Sequence, residues 1–81
     1  MHDSEHPEKA DRLDLRGVRC PLNWARARVR LEQIPPGAAL ILLVDDPRAT
    51  RDIPRAAEAS GYHVADVVEV AVGCWQIEIS R

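Results

Sequence analysis

Cysteine side chains offer the most reactive chemistry in this sequence, and the chain has two of them, Cys20 and Cys74. They are far apart and form neither a Cys-x-x-Cys pair nor a zinc-binding pattern, so we expect two free thiols. Cys20 is followed by Pro21, and proline is favoured at the first position of a helix. The positive end of a helix stabilises a thiolate, which is the nucleophilic form of cysteine. Cys20 is therefore the predicted nucleophile. Cys74 is interpreted as a strand residue that would act as a resolving thiol only if it lay near Cys20.

The residues around Cys20 fit a reactive thiolate that points outward. Gly17 ends the preceding strand, and Pro21 should fix the angle at which the chain enters the helix, so that the thiol points outward. Arg16 and Arg19 add positive charge close to the thiol. These charges would favour the thiolate, which is an anion.

Three further arginines, Arg26, Arg28 and Arg30, recur along the predicted helix. Such a series is most simply a solvated helix face. The functional alternative is a surface that docks an acidic partner, because charged patches speed and orient encounter. The candidate docking residues are Arg16, Arg26 and Arg30.

Histidines and carboxylates give weak signals for a metal site. His2 and His6 have the spacing of helical metal ligands but lie in a polar segment. His63 is expected at the start of a strand, and its pairing with Cys20 has no support in the sequence. We interpret Asp45, Asp46 and Asp52 as turn and helix N-terminal residues, because carboxylates are favoured at helix N-termini. We therefore predict no metal site and no cofactor.

The composition excludes several classes of function. Charged residues make up 30% of the 81 residues and the formal net charge is -2, unlike the basic surfaces of nucleic-acid-binding domains. The large aromatic residues are two Trp and one Tyr, too few for a base-stacking platform. No apolar run approaches the roughly 20 residues of a membrane span, and the polar N-terminus has no signal-peptide pattern. We expect a cytoplasmic monomer that binds neither nucleic acid nor membranes.

Turn residues divide the chain into six predicted elements. Residues 1–12 combine low hydrophobicity with mixed charge, which predicts a disordered tail before a single domain over residues 13–81. An apolar stripe of helical period, widened by Val29, predicts a helix between Cys20-Pro21 and Pro35-Pro36-Gly37. The continuous apolar run at 39–44 predicts a buried central strand. The remaining elements are a strand at Leu13–Arg16, a helix from about Arg48–Thr50 to Ser60 with Gly61 as its C-cap, and strands at Val64–Val72 and Cys74–Ile79.

This order, β-α-β-α-β-β, predicts the fold class. The chain should form an α+β two-layer sandwich, because two helices and four strands bury their apolar faces most economically against each other. Right-handed crossovers place both helices on the same side of the sheet. We therefore predict two helices packed on one face of a four-stranded mixed sheet.

The chain also resembles the TusA/SirA-like sulfur carrier proteins over residues 13–81. The likeness rests on Leu13-Asp14-Leu15-Arg16-Gly17-Val18-Arg19-Cys20-Pro21, Pro36-Gly37, Asp45-Asp46-Pro47, Thr50-Arg51-Asp52-Ile53-Pro54 and Gly61. The resemblance implies a βαβαββ fold and a persulfide on Cys20. A donor such as a cysteine desulfurase or a rhodanese would load this sulfur, and an acceptor protein would receive it. One departure is Asn23, which stands where the family usually has the second proline of Cys-Pro-x-Pro.

Two functions stay open at this level. The first is a persulfide sulfurtransferase with Cys20 as the catalytic residue, supported by Gly17, Arg19, Pro21 and Asn23. The second is a non-catalytic interaction or regulatory module of the same fold. A dithiol oxidoreductase is a poor fit, because such proteins use closely spaced cysteines. The destination of the sulfur is also open: tRNA thiolation, molybdenum cofactor synthesis, sulfur oxidation or sulfur assimilation.

Overall fold

The strands of this chain form one sheet, and two helices cover one of its faces. In the computed structural model, which describes residues 10–81, the elements are β1 (Ala10–Asp14), α1 (Leu22–Gln33), β2 (Ala39–Val44), α2 (Ala49–Ala59), β3 (His63–Ala71) and β4 (Cys74–Ser80). The sheet order is β1-β2-β4-β3, with β1 parallel to β2 and the other neighbours antiparallel. The predicted element order and the two-layer α+β fold with a mixed sheet are confirmed.

β1 begins at Ala10 instead of Leu13, so residues 10–12 belong to the folded domain and not to the predicted tail. The physical reason is the parallel ladder with β2, which pairs Ala10–Asp14 with residues 39–43 and supplies backbone hydrogen bonds. The polar residues Asp11 and Arg12 give this segment no apolar pattern from which a strand could be predicted. β1 is an edge strand, where charged residues such as Asp11 and Arg12 are tolerated. The remaining tail residues, 1–9, lie outside the described residues.

β2 lies in the middle of the sheet but is buried on one face only. Its core-facing residues are Leu40, Leu42 and Val44, which are at most 1% exposed. Ile41 and Leu43 point to the opposite face and are partly exposed. A continuous apolar run is typical of a strand covered on both faces. Here the second face stays open because the described residues supply a single layer of helices.

Each helix packs one stripe of residues onto the covered face of the sheet. α1 buries Ala27 and Leu31, and α2 buries one residue per turn at Ala49, Ile53 and Ala57. Val29 does not widen the α1 stripe as predicted. It is 56% exposed, because it follows the buried Ala27 by two residues and therefore points to the opposite face of the helix. Neither helix is long and apolar enough to cross a membrane.

The loop between β1 and α1, residues 15–21 and called the cysteine loop below, is tied to the rest of the fold near its start. The N–H of Leu15 donates to the carbonyl of Leu43 at 2.8 Å. Gly17 has φ +82°, a conformation that favours glycine. Its N–H donates to both carboxylate oxygens of Asp45, at 3.0 and 3.2 Å. This bond fixes the cysteine loop against the loop that precedes α2.

Two aspartates of β1 form ion pairs with arginines. Asp14 accepts hydrogen bonds from Nε and Nη2 of Arg16 at 3.0 and 2.7 Å. Asp11 accepts one from Nη1 of Arg30 on α1 at 2.7 Å. The first pair shapes the start of the cysteine loop, and the second joins α1 to the edge of the sheet.

The Asp14–Arg16 pair should make stability depend on pH in the acid range. Hydrogen bonds from the side chain and the backbone of Arg16 lower the pKa of Asp14 from 3.8 to about 2. A pKa depressed in the folded state contributes stability above the unfolded value, and this contribution is lost as the pH falls through the folded value. In urea unfolding from about pH 5 to about pH 2, the wild type should lose more stability than Asp14→Asn. The difference should be small because solvent screens this half-exposed pair. Equal losses in the two proteins would contradict the pairing.

Removing the Asp45 carboxylate should loosen the cysteine loop. In Asp45→Ala, the Gly17 N–H loses a hydrogen bond to a charged acceptor, an interaction that contributes about 1.5–3 kcal/mol. Amide hydrogen exchange at Gly17, followed by NMR, should therefore quicken roughly tenfold or more. The matched control is Asp46→Ala, which removes the neighbouring carboxylate that accepts from the N–H of Arg48. Equal exchange rates in the two variants would show that Asp45 does not hold the loop.

Candidate functional site

Cys20 is an exposed free thiol near the end of the cysteine loop. A cis peptide bond joins it to Pro21, and α1 begins at the next residue. Pro21 thus occupies the capping position just before the helix, not the first helical position that the sequence suggests. Loop carbonyls anchor the first turn: the N–H of Asn23 donates to Arg19 at 3.0 Å, and the N–H of Ala25 donates to Pro21 at 3.1 Å. The thiol therefore lies directly before the N-terminus of α1.

The N-terminus of α1 has no neutralising group of its own. The cap residue, Pro21, makes no side-chain hydrogen bond, and the first turn contains no acidic residue. The N–H groups of Asn23 and Trp24 are already bonded, to the Arg19 carbonyl and to Oδ1 of Asn23. The positive end of the helix dipole is therefore the feature of α1 that favours a negative charge near Cys20.

Asn23, predicted to support the thiol, is completely buried in the first turn of α1. Its Oδ1 accepts a hydrogen bond from the N–H of Trp24 at 2.7 Å. Its Nδ2 is the one buried side-chain nitrogen or oxygen within residues 10–81 that has no hydrogen-bond partner. Trp24 packs edge to face against Tyr62, with ring centroids 6.5 Å apart. Asn23 thus supports the helix start from the interior, whereas Cys20 lies at the surface.

The predicted arginines fall into two groups. Arg16 and Arg30 are each paired with an aspartate of β1, so their charge is largely neutralised. Arg19 and Arg26 are exposed and form no ion pair with another residue of the described range 10–81. Within residues 10–81, the predicted arginines without an ion pair are therefore Arg19, which precedes Cys20 in the cysteine loop and acts on Asp46, and Arg26 on α1.

A cleft of about 400 Å³ opens beside the cysteine loop. The two loops that meet there supply its lining: Gly17, Val18, Arg19, Asp45, Asp46, Pro47 and Arg48. The backbone and side chain of Arg48 lower the pKa of Asp46 by hydrogen bonding, and the charge of Arg19 lowers it further. Carboxylates and guanidinium groups thus line the cleft together, an arrangement that can pair with a polar peptide segment of mixed charge.

Asp45 and Asp46 are predicted as turn residues from the sequence, which gives no local sign that Asp45 bonds to Gly17 of the cysteine loop. A signal for this contact exists in the order of the elements. The carboxyl ends of neighbouring parallel strands lie at the same edge of a sheet, so the loops after β1 and β2 had to meet. The sequence alone does not establish that these two strands are neighbours.

Cys74 lies at the same end of the sheet as the cysteine loop, because Trp75 pairs with Val44 at the end of β2. It is the first residue of β4 and is partly buried. Because side chains alternate along a strand, Cys74 faces the side of the sheet without helices. The core-facing residues of β4 are Trp75, Ile77 and Ile79. Cys20 leads into α1 on the helix-covered side, so the two cysteines approach this end of the sheet from opposite faces.

His63, the histidine within residues 10–81, does not lie beside the cysteine loop. His63 is exposed and begins β3, at the edge of the sheet opposite β1. His2 and His6 lie outside the described residues. Within residues 10–81, no three His, Cys, Asp or Glu side chains form a cluster that could hold a metal ion.

Comparison with known proteins identifies a family and named relatives for this chain. Residues 11–81 match the family model described as Sulfurtransferase TusA. A protein of Archaeoglobus fulgidus, provisionally named a sulfur carrier protein, is 33% identical over 79 residues, which are 98% of this chain and 90% of that protein. A protein of Thermotoga maritima with the same provisional name is 31% identical over 67 residues, 83% of this chain and 85% of that protein.

A solved structure extends the likeness from sequence to fold. The crystal structure of a SirA-like protein from Desulfitobacterium hafniense superposes with a TM-score of 0.76 at 26% identity, covering 85% of this chain and 93% of that chain. The family match takes in the cysteine loop, both helices and most of the sheet. The family resemblance seen in the sequence is thus confirmed, and the chain belongs to the TusA family.

Proposed function

We propose that this protein is a sulfur carrier that holds sulfur as a persulfide on Cys20 and passes it from a donor protein to an acceptor protein. The observation that carries the proposal is the position of Cys20, an exposed free thiol before the N-terminus of α1, whose first turn holds no acidic residue. Membership of the TusA family supports the same role, as do the two relatives named as sulfur carriers. A cysteine desulfurase or a rhodanese has the required donor chemistry.

Sulfur transfer at Cys20 needs two exchange steps. In the first, the Cys20 thiolate attacks the outer sulfur of a persulfide on the donor. A new S–S bond forms at Cys20, the S–S bond of the donor breaks, and the donor cysteine leaves as a thiolate. In the second step, a nucleophile on the acceptor attacks the outer sulfur, and Cys20 leaves as a thiolate. Each step moves one sulfur atom without net oxidation or reduction.

The surroundings of Cys20 fit the charge that these steps involve. The attacking thiolate, the persulfide and the leaving thiolate are all anions, and the N-terminus of α1 stabilises an anion. Arg19 adds a free positive charge from the cysteine loop. The Asp45–Gly17 bond limits the motion of the loop, so the thiol is presented in a consistent place.

Partners would reach Cys20 over the outer face of α1. Leu22 and Val29 are 51% and 56% exposed, and Arg26 lies between them in the sequence. An apolar surface with a free positive charge fits a partner whose docking surface is apolar and acidic. Donor and acceptor need the same thiol, so they would bind in turn and not together.

Loading of sulfur tests the proposal directly. After incubation with a cysteine desulfurase and cysteine, or with a rhodanese and thiosulfate, the intact mass should increase by one sulfur atom. The increase should vanish in Cys20→Ala and persist in the matched variant Cys74→Ala, because Cys74 lies on the other side of the sheet. Absence of loading by both donors, or loading at Cys74, would reject the proposal. A protein that is never loaded would instead fit the interaction module of the same fold.

Charge reversal on α1 tests the docking surface. Arg26→Glu should slow sulfur loading several-fold at low ionic strength, because it replaces attraction to an acidic donor surface by repulsion. The effect should shrink in high salt, where exposed charges are screened. Arg55→Glu is the matched control, since it makes the same charge change at an exposed position on α2. Equal slowing by the two variants would indicate a general charge effect and not docking through α1.

A further inference from the structure

Arg19 is the charged residue next to Cys20 in the chain, and within residues 10–81 no carboxylate forms an ion pair with it. Arg16, at the start of the same loop, is held by Asp14 at 2.7 Å. The carbonyl of Arg19 accepts a hydrogen bond from the N–H of Asn23 at 3.0 Å, which ties its backbone to the first turn of α1. Arg19 thus combines an anchored backbone with a guanidinium group that is available to an anion.

The cleft of about 400 Å³ beside the cysteine loop has Arg19 as the lining residue closest in the chain to Cys20. Its carboxylates are already engaged. Asp45 accepts from the cysteine loop, and Asp46 accepts from the N–H and Nε of Arg48 at 3.0 and 3.4 Å. The charge of Arg19 also lowers the pKa of Asp46, so this charge acts inside the cleft. The charge that remains for a ligand of the cleft is therefore positive and belongs to the residue beside the thiol.

The backbone at this end of the cleft offers hydrogen-bond donors as well. The N–H groups of Arg19 and Cys20 donate to no backbone acceptor within residues 10–81. A guanidinium group binds a carboxylate through charge-assisted hydrogen bonds, often two in parallel, and backbone N–H groups are further donors to an ionised oxygen. A carboxylate placed here would therefore find both kinds of donor within one residue of the thiol.

We propose that Arg19 selects protein partners whose sulfur-bearing cysteine is flanked by a carboxylate side chain, the partner's segment lying in the cleft. The inference rests on the proposed function, because it takes Cys20 as the residue that exchanges sulfur. An extended segment advances about 3.3 Å per residue. A carboxylate one or two residues from the partner's cysteine can therefore meet Arg19 while that cysteine faces Cys20.

Arg19 makes no bond to the sulfur atoms in this arrangement. The Cys20 thiolate attacks the outer sulfur of the partner's persulfide, the new S–S bond forms at Cys20, and the partner's cysteine leaves as a thiolate. The ion pair with Arg19 holds the partner's segment during this exchange. Arg19 therefore determines which partners are held at the thiol and is a specificity residue, not a catalytic one.

Short persulfidated peptides provide the first test. One donor has its cysteine flanked by glutamates and the other by lysines, and all proteins carry Cys74→Ala so that the mass gain reports Cys20 alone. The ratio of the two loading rates should fall at least about threefold from the parent protein to Arg19→Glu, because attraction and repulsion exchange places. A ratio of rates cancels any uniform change in thiol reactivity and any intrinsic difference between the peptides.

Two further variants decide where the carboxylate binds. Arg55→Glu makes the same charge change on α2 and should keep the parent ratio. Arg26→Glu makes it on the outer face of α1 and should also keep the ratio. An unchanged ratio in Arg19→Glu, or an equal change in Arg26→Glu, would overturn the inference and leave the carrier role intact. Failure of every peptide to load Cys20, together with failure of the desulfurase and the rhodanese, would reject both.

Binding without reaction provides the second test. A peptide with glutamates around a serine in place of the cysteine cannot transfer sulfur, so NMR can follow its binding at millimolar concentration. It should shift the amide signals of residues 17–19 and 45–48, which line the cleft. The shifts should be weaker in Arg19→Gln and unchanged in Arg55→Gln. Shifts confined to the outer face of α1, or equal shifts in the two variants, would contradict binding in the cleft.

Discussion

The parallel pairing of β1 with β2 is the contact on which the arrangement around Cys20 depends. A parallel pair requires a crossover, and α1 provides it on the covered face of the sheet. The same pairing brings the carboxyl ends of both strands to one edge. The cysteine loop and the loop before α2 therefore meet there, and Asp45 bonds to Gly17 across them. The position of the thiol is thus a consequence of strand order.

Ion pairs, and not only the number of charged residues, determine the charge that the surface around Cys20 presents. The chain has a formal net charge of -2, yet its described surface near Cys20 carries free positive charge. Asp11 and Asp14 on β1 neutralise Arg30 and Arg16, while Arg19 and Arg26 have no ion pair within residues 10–81. The two aspartates of β1 therefore determine which of these arginines form ion pairs, although nothing in the sequence marks them for this role.

The sequence predicts the elements of this fold better than the contacts between them. Apolar periodicity and the turn glycines identify both helices and all four strands of the described chain, and the bounds of β2 are predicted to the residue. The start of β1 is missed because residues 10–12 have no apolar pattern and are held in the strand by backbone pairing with β2. The contact of Asp45 with Gly17 is missed for a related reason. It joins residues far apart in the sequence, and local patterns do not report strand order.

The prediction for Asn23 shows a similar limit. Its place in the Cys-Pro-Leu-Asn segment suggests a role beside the thiol. The burial of Asn23, however, depends on how the first turn of α1 packs against the core. The amide nitrogen without a partner is a cost that only the folded packing makes visible. Functional motifs therefore locate a site in the sequence without determining which of their members reach the surface.

The hydrogen bond between Gly17 and Asp45 has a consequence for how such a chain can evolve. A backbone donor in one loop and a carboxylate in another meet only if both loops keep compatible lengths. An insertion or deletion in either loop would separate the two groups and displace the thiol, so length changes in the two loops should be inherited together. The side chain of residue 17, in contrast, takes no part in the bond. Its identity is limited by the positive φ angle alone, and an asparagine there would preserve the link at modest cost.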